Sequence, residues 1–114
     1  MSGERGILMA SESGLSIRRS DDIAGALSTS IGTAGLVLTE NDLAAEFLNL
    51  QSGLAGELFQ KFINYRVRVA IVVPDPSVYG ERLSELAREH ASHSIIRFVR
   101  SADEARSWLS SGPL

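Results

Sequence analysis

The sequence contains no cysteine among its 114 residues. Disulfides, thiolate zinc sites and thiol catalysis are therefore excluded. It also lacks an excess of positive charge, with 11 Lys and Arg against 14 Asp and Glu and a net charge of −3. A basic footprint for nucleic acid or an acidic membrane surface is thus missing. Lys61 is the only lysine; the other basic residues are arginines. No run approaches the roughly 20 apolar residues that a membrane span requires. The opening segment, MSGERGILMASESG, has acids and no signal-peptide apolar core. These absences imply a cytoplasmic protein with neither membrane nor nucleic acid as partner.

Several catalytic and cofactor motifs are absent too. Gly53 and Gly56 are too close for a Walker A loop, and Lys61 precedes Phe62 rather than Ser or Thr. There is no dinucleotide fingerprint, and no serine sits on a G-x-S-x-G elbow. The chain has two histidines, His90 and His93. Their i, i+3 spacing reads as a helix-end pair favourable to the dipole rather than a metal site. No cofactor and no metal are expected.

What is present is an ordinary globular composition, 44% hydrophobic, in a length that fits one domain over 1–114. Residues 6–10 and 15–18 read as short strands joined by an SESG turn, an N-terminal hairpin. Ser20 fits a helix N-cap, with Asp21 and Asp22 in the first turn. Ile23, Leu27 and Ile31 continue that helix to a terminator at Gly32. The continuous apolar run 35–39 predicts a strand covered on both faces. Residues 40–46 read as an acidic connection with room for one helical turn.

From Gly53 to Tyr65 the helical pattern is strongest. Leu54, Leu58 and Phe62 repeat at i+4, flanked by Ala55, Phe59 and Ile63. A strand follows at 67–73 and is ended by Pro74 and Pro76. A helix at 79–91 and a strand at 95–99 come next. Ser101 and Glu104 form a capping box for the last helix, whose stripe is Ala105, Trp108 and Leu109. The order β-β-α-β-α-β-α-β-α predicts an α/β domain with a mainly parallel sheet, an N-terminal hairpin and about four helices.

Two regions carry candidate function. Glu40, Asp42, Asp75 and Ser101 fall near the carboxyl ends of strands, where open α/β sheets bind ligands. They point to a small-molecule site or a small enzyme built on acids. The other region runs from Phe47 to Val73. Two glycines beside the first turns of its helix each cost about 1 kcal/mol relative to alanine. Close packing or a partner's approach would offset that cost. Ser52 stands where an N-cap is expected. Glu57, Gln60, Lys61 and Asn64 make a polar stripe, with Glu57 and Lys61 spaced as an i, i+4 ion pair. Tyr65, Arg66 and Arg68 extend it with residue types enriched at binding hot spots.

The run GLVLT…FLNLQSGLAGELFQKFINYRVRVAIVV resembles the core of a STAS domain, the fold of bacterial anti-sigma-factor antagonists. Phe47, Leu48, Ser52, Gly53 and Leu54 lie on that family's F-[IL]-D-S-[ST]-G-[LI] motif with one extra residue before Ser52. The hairpin start and the length agree. Asn49 stands near the family's Asp, and Gln51 replaces its second Ser or Thr. The resemblance implies that Ser52 is a phosphoacceptor and that the partner is a kinase-type regulator. Phosphate there would meet a helix N-terminus and add negative charge to a docking surface.

The segment LQSGLAGELFQKFINYRVRVAIV is also similar to an uncharacterised bacterial family, domain of unknown function 4180. Its pattern is matched at Phe47, Leu50, Gly53 to Leu58, Gln60 to Phe62, Asn64, Tyr65 and Ala70 to Val72. The expectation is a non-enzymatic, regulatory protein-interaction module. Its partner surface comprises Asn49, Gln51, Gly53, Gly56, Glu57, Gln60, Lys61, Asn64, Tyr65 and Arg66. A homodimer fits this class of domain.

Overall fold

A computed structural model of the chain describes residues 6–50 and 53–111. Its strands are β1 (Ile7–Met9), β2 (Gly35–Thr39), β3 (Val69–Val72) and β4 (Ile96–Val99). They form one sheet in the order β1-β2-β3-β4, and every pairing is parallel. The helices are α1 (Ala10–Ser13), α2 (Ser20–Ser30), α3 (Ala45–Asn49), α4 (Leu54–Asn64), α5 (Glu81–Glu89) and α6 (Ala102–Ser110). Two 3-10 turns, Glu40–Asp42 and Pro76–Tyr79, follow β2 and β3.

The expected N-terminal hairpin does not form. After β1 the chain turns directly into α1, which closes on Gly14 at φ 71°. A left-handed glycine serves a helix C-cap as readily as a hairpin turn. Residues 15–18 make only an isolated parallel bridge, Ile17 to Leu43. Ile17 is fully buried there, and its N–H donates to Asp42 O at 2.7 Å. One feature supporting the likeness to STAS domains, the antiparallel start, is therefore absent. Ser20 is also not the N-cap of α2. Asp22 instead accepts the Arg18 and Arg19 N–H groups at 2.8 and 3.0 Å, which holds its carboxyl below the usual range.

The sequential strand order dictates where the helices lie. Right-handed connections that all step the same way deposit their helices on one face. Leu36, Leu38, Val69, Ile71, Ile96 and Phe98 point to that face and pack with α2, α4 and α5. Phe47, Leu58 and Phe62 are fully buried in the same core. Truncating one of them to alanine costs about 2–5 kcal/mol. The alternate residues Val37, Ala70, Val72 and Val99 point the other way and meet α6 alone, through Ala105, Trp108 and Leu109.

That single helix is clamped. Arg97 and Arg68 lie over the Trp108 ring at 4.6 and 5.3 Å from its centroid. Arg68 also donates to Leu109 O at 3.1 Å, at the C-terminal end of α6. Burial, then the neighbouring Arg97 charge, lowers the Arg68 pKa from its ordinary value. Gly35 lets α6 sit close. Its φ is 154°, and a Cβ there would lie 2.5 Å from Leu109 Cδ2.

Candidate functional site

Helix α4 has two faces. Leu54, Ala55, Leu58, Phe59 and Phe62 are buried, as the i+4 pattern predicts. Its start is set by Gly53, an N-cap at φ 77° that suits glycine. Gly53, Gly56, Gln60 and Asn64 are exposed, while Glu57 and Lys61 are half-buried. The expected Glu57–Lys61 ion pair does not form. Glu57 instead accepts the Ser20 hydroxyl at 2.6 Å, tying α4 to the start of α2. The side chains of Gln60, Lys61 and Asn64 have no hydrogen-bond or ion-pair partner among the described residues.

Gly56 is not explained by packing within the fold. A Cβ added there would meet nothing within 4 Å. At the end of the helix, Ile63 and Tyr65 are 38% and 63% exposed. Ile63 was expected beside the buried row and lies at its edge instead. Arg66 follows at φ 55°, an uncommon conformation for a non-glycine residue. Asn49 is exposed at the end of α3. Gln51 and the expected phosphoacceptor Ser52 lie outside the described residues. Arg68 does not extend this surface, because it points to the α6 side of the sheet.

The strand-end residues are mostly committed to local structure. Asp42 is buried and accepts Thr39 N and Oγ1 at 2.8 and 2.9 Å. Glu40 accepts the Tyr79 hydroxyl in a short bond, which with burial pushes the Tyr79 pKa up to about 12. Ser101 caps α6 by accepting Glu104 N at 3.1 Å, and Glu104 accepts Arg100 N at 2.9 Å. Only half of the expected capping box forms, because the Glu104 carboxylate takes the N–H of Arg100 rather than that of the N-cap Ser101. Asp75 caps the following turn, accepting Ser77 Oγ at 2.5 Å and Ser77 N at 3.1 Å. Those bonds hold its carboxyl below the usual range.

Asp75 lines a cleft of about 290 Å³ between the ends of β3 and β4, whose lining does not include the other three. The chain leaves β3 toward α5 on one face and β4 toward α6 on the other. Divergence of neighbouring connections opens such a crevice. Its apolar floor includes Val73, Phe98 and Val99, and its rim carries Ser84, Arg88, Arg100 and Glu104. No local sequence pattern singles out Arg88 or Arg100. Ser84, Arg88 and Ala91 share a helical spacing of i, i+4, i+7, a weak signal that becomes meaningful once the faces of the sheet are known.

The two histidines belong to an aromatic cluster with Phe59 and Phe98. His90 fits the helix-end role, its Nδ1 donating to Leu86 O at 3.0 Å. His93 Nδ1 accepts both Ile95 N and Ile96 N at 3.0 Å. That nitrogen is therefore unprotonated, and its lone pair orders the entry to β4. Among the described residues, no group of three His, Asp or Glu side chains is placed to hold a metal ion. No helix among them is long and apolar enough to cross a membrane.

No curated protein and no solved structure matches the chain. A family model does match, over residues 2–109, and on that match the chain belongs to the family described as Domain of unknown function (DUF4180).

Proposed function

We propose that the protein is a non-enzymatic interaction module that docks a protein partner through the outer face and C-terminal end of α4. The observation that carries this reading is the contrast between the two faces of one helix. The inner face is fully used by the core. The outer face presents Gln60, Lys61 and Asn64 without side-chain partners among the described residues and ends in exposed Ile63 and Tyr65.

The chemistry of the face suggests the chemistry of the partner. Lys61 and Arg66 are cations in a chain of net charge −3, and Tyr65 gives a large, weakly polar contact. An acidic protein surface with an apolar centre complements that arrangement. Ser52 precedes the face in sequence. Phosphorylation there would place charge at the head of α4 and oppose an acidic partner.

The test is affinity capture from the source organism with the wild type and with Tyr65→Ala/Arg66→Ala, followed by calorimetry on the purified partner. Binding at least about tenfold weaker in the double variant, a loss of about 1.4 kcal/mol, supports the reading. Equal affinity for both proteins refutes it.

A further inference from the structure

The cleft between the ends of β3 and β4 points to a second, separate site. We infer that it binds a small monoanionic carboxylate carrying an apolar group, held by Arg88 and Arg100.

The weakly engaged guanidinium groups at the cleft point to an anionic ligand. Both acids on the rim already have donors: Asp75 has Ser77 N and Oγ, and Glu104 has Arg100 N. The cationic groups are less engaged. The Arg88 guanidinium has no hydrogen bond or ion pair to any described residue. Arg100 makes one long side-chain bond, from Nη1 to Pro74 O at 3.3 Å. The Ser84 hydroxyl has no partner among the described residues either. Arg88 and Ser84 thus leave free donors at the cleft, while among the described residues Asp75 Oδ2 and Glu104 Oε2 remain free acceptors; the donors suit an oxyanion, and guanidinium pairs with carboxylate in a bidentate fork.

Charge and size narrow the class. Asp75 and Glu104 stand on the same rim, so a dianion such as phosphate would face two nearby negative charges. A carboxylate carries half that burden. The floor of Val73, Phe98 and Val99 is apolar, as is the wall made by Ala87 of α5 and Ala91 just beyond that helix. They suit a short hydrocarbon or aromatic body. The volume of about 290 Å³ lies at the small end of ligand pockets. The location at diverging strand connections is where open α/β sheets bind ligands.

The test is an amide NMR titration of the full chain with phenylacetate and, separately, with inorganic phosphate. The expected result is saturable shifts confined to the amides around Ser84, Arg88, Phe98 and Arg100, with phenylacetate binding more tightly than phosphate. Arg88→Gln removes no contact of the fold and should weaken phenylacetate at least about tenfold. Arg106→Gln, on the exposed side of α6, should leave it unchanged. No saturable shift, equal affinity in Arg88→Gln, or a preference for phosphate would overturn the assignment.

Discussion

Replacing Gly56 by alanine separates what the fold needs from what the surface is for. Glycine within a helix is less favourable than alanine by roughly 0.5–1 kcal/mol, because the unfolded chain gains entropy. That gain is realised only where the new methyl is accommodated. At Gly56 a Cβ meets nothing within 4 Å, and the residue lies in the first turn of α4 at a backbone geometry any residue can adopt. Nothing offsets the propensity term, so Gly56→Ala should stabilise the free protein by about 0.5–1 kcal/mol. In a domain of this size that is a rise in Tm of a few degrees, on the order of 4 °C. Urea unfolding followed by circular dichroism measures it, with an unchanged m-value as the check that only stability moved. If the open strip admits a partner's backbone, the same variant should bind that partner more weakly while being more stable. A destabilised Gly56→Ala would refute the reasoning, since the outer face of α4 would then be packed against something in the free protein.

Three further outcomes follow from the geometry. Gly35→Ala should destabilise by several kcal/mol, about 2–4 kcal/mol from strain at φ 154° plus collision with Leu109, and thermal unfolding should show it. Arg68→Met should cost about 1–2 kcal/mol through the lost carbonyl bond and Trp108 stacking. Trp108 is the only tryptophan, so its emission should shift to the red as α6 loosens. The third concerns pH. Burial, with His90 and Arg97 adding to it, lowers the His93 pKa below its ordinary value. The fold therefore favours neutral His93, and the unfolded chain binds the extra proton first. Its contribution is complete above about pH 6.5 and declines as pH falls through that value toward the folded pKa. The urea midpoint should drop between pH 7.5 and 5, and His93→Asn should flatten that slope. Asp22 and Asp75 are not confounding, because their lowered pKa values act only below about pH 4.

Much of this architecture is written in local pattern. The stripe Leu54, Leu58 and Phe62 places α4, and Ser101 with Glu104 places the start of α6. The apolar runs at 35–39, 67–73 and 95–99 hold β2, β3 and β4. Each depends only on neighbours within a few residues. The N-terminal segment is different. Gly14 suits two kinds of turn, and the choice is made by distant contacts, with Ile17 bridging Leu43. Glu57 likewise has a local partner available in Lys61 but takes Ser20, which lies 37 residues away.

The candidate sites divide along the same line. The exposed face of α4 is legible because helical periodicity alone separates Gln60 and Asn64 from Leu58 and Phe62. The acids at the strand ends are legible as positions but not as roles. Asp42 and Ser101 bond to nearby residues of their own turns instead, a competition that short polar side chains often win. The cleft was not legible at all. It exists because α5 and α6 leave adjacent strands for opposite faces, and that divergence depends on the order of the strands. Arg88 and Arg100 gain meaning only there.

The central claim is that α4 presents a docking face to another protein. Site-specific photocrosslinking in the source organism tests it most directly. A photoreactive phenylalanine analogue is placed at Gln60, on the outer face of α4, and as a control at Ser107, an exposed residue of α6. The account predicts a discrete adduct to a different protein from position 60 and none from position 107, with the adduct diminished by Tyr65→Ala/Arg66→Ala. No adduct from position 60, equal adducts from both positions, or an adduct only to a second copy of the chain would contradict it.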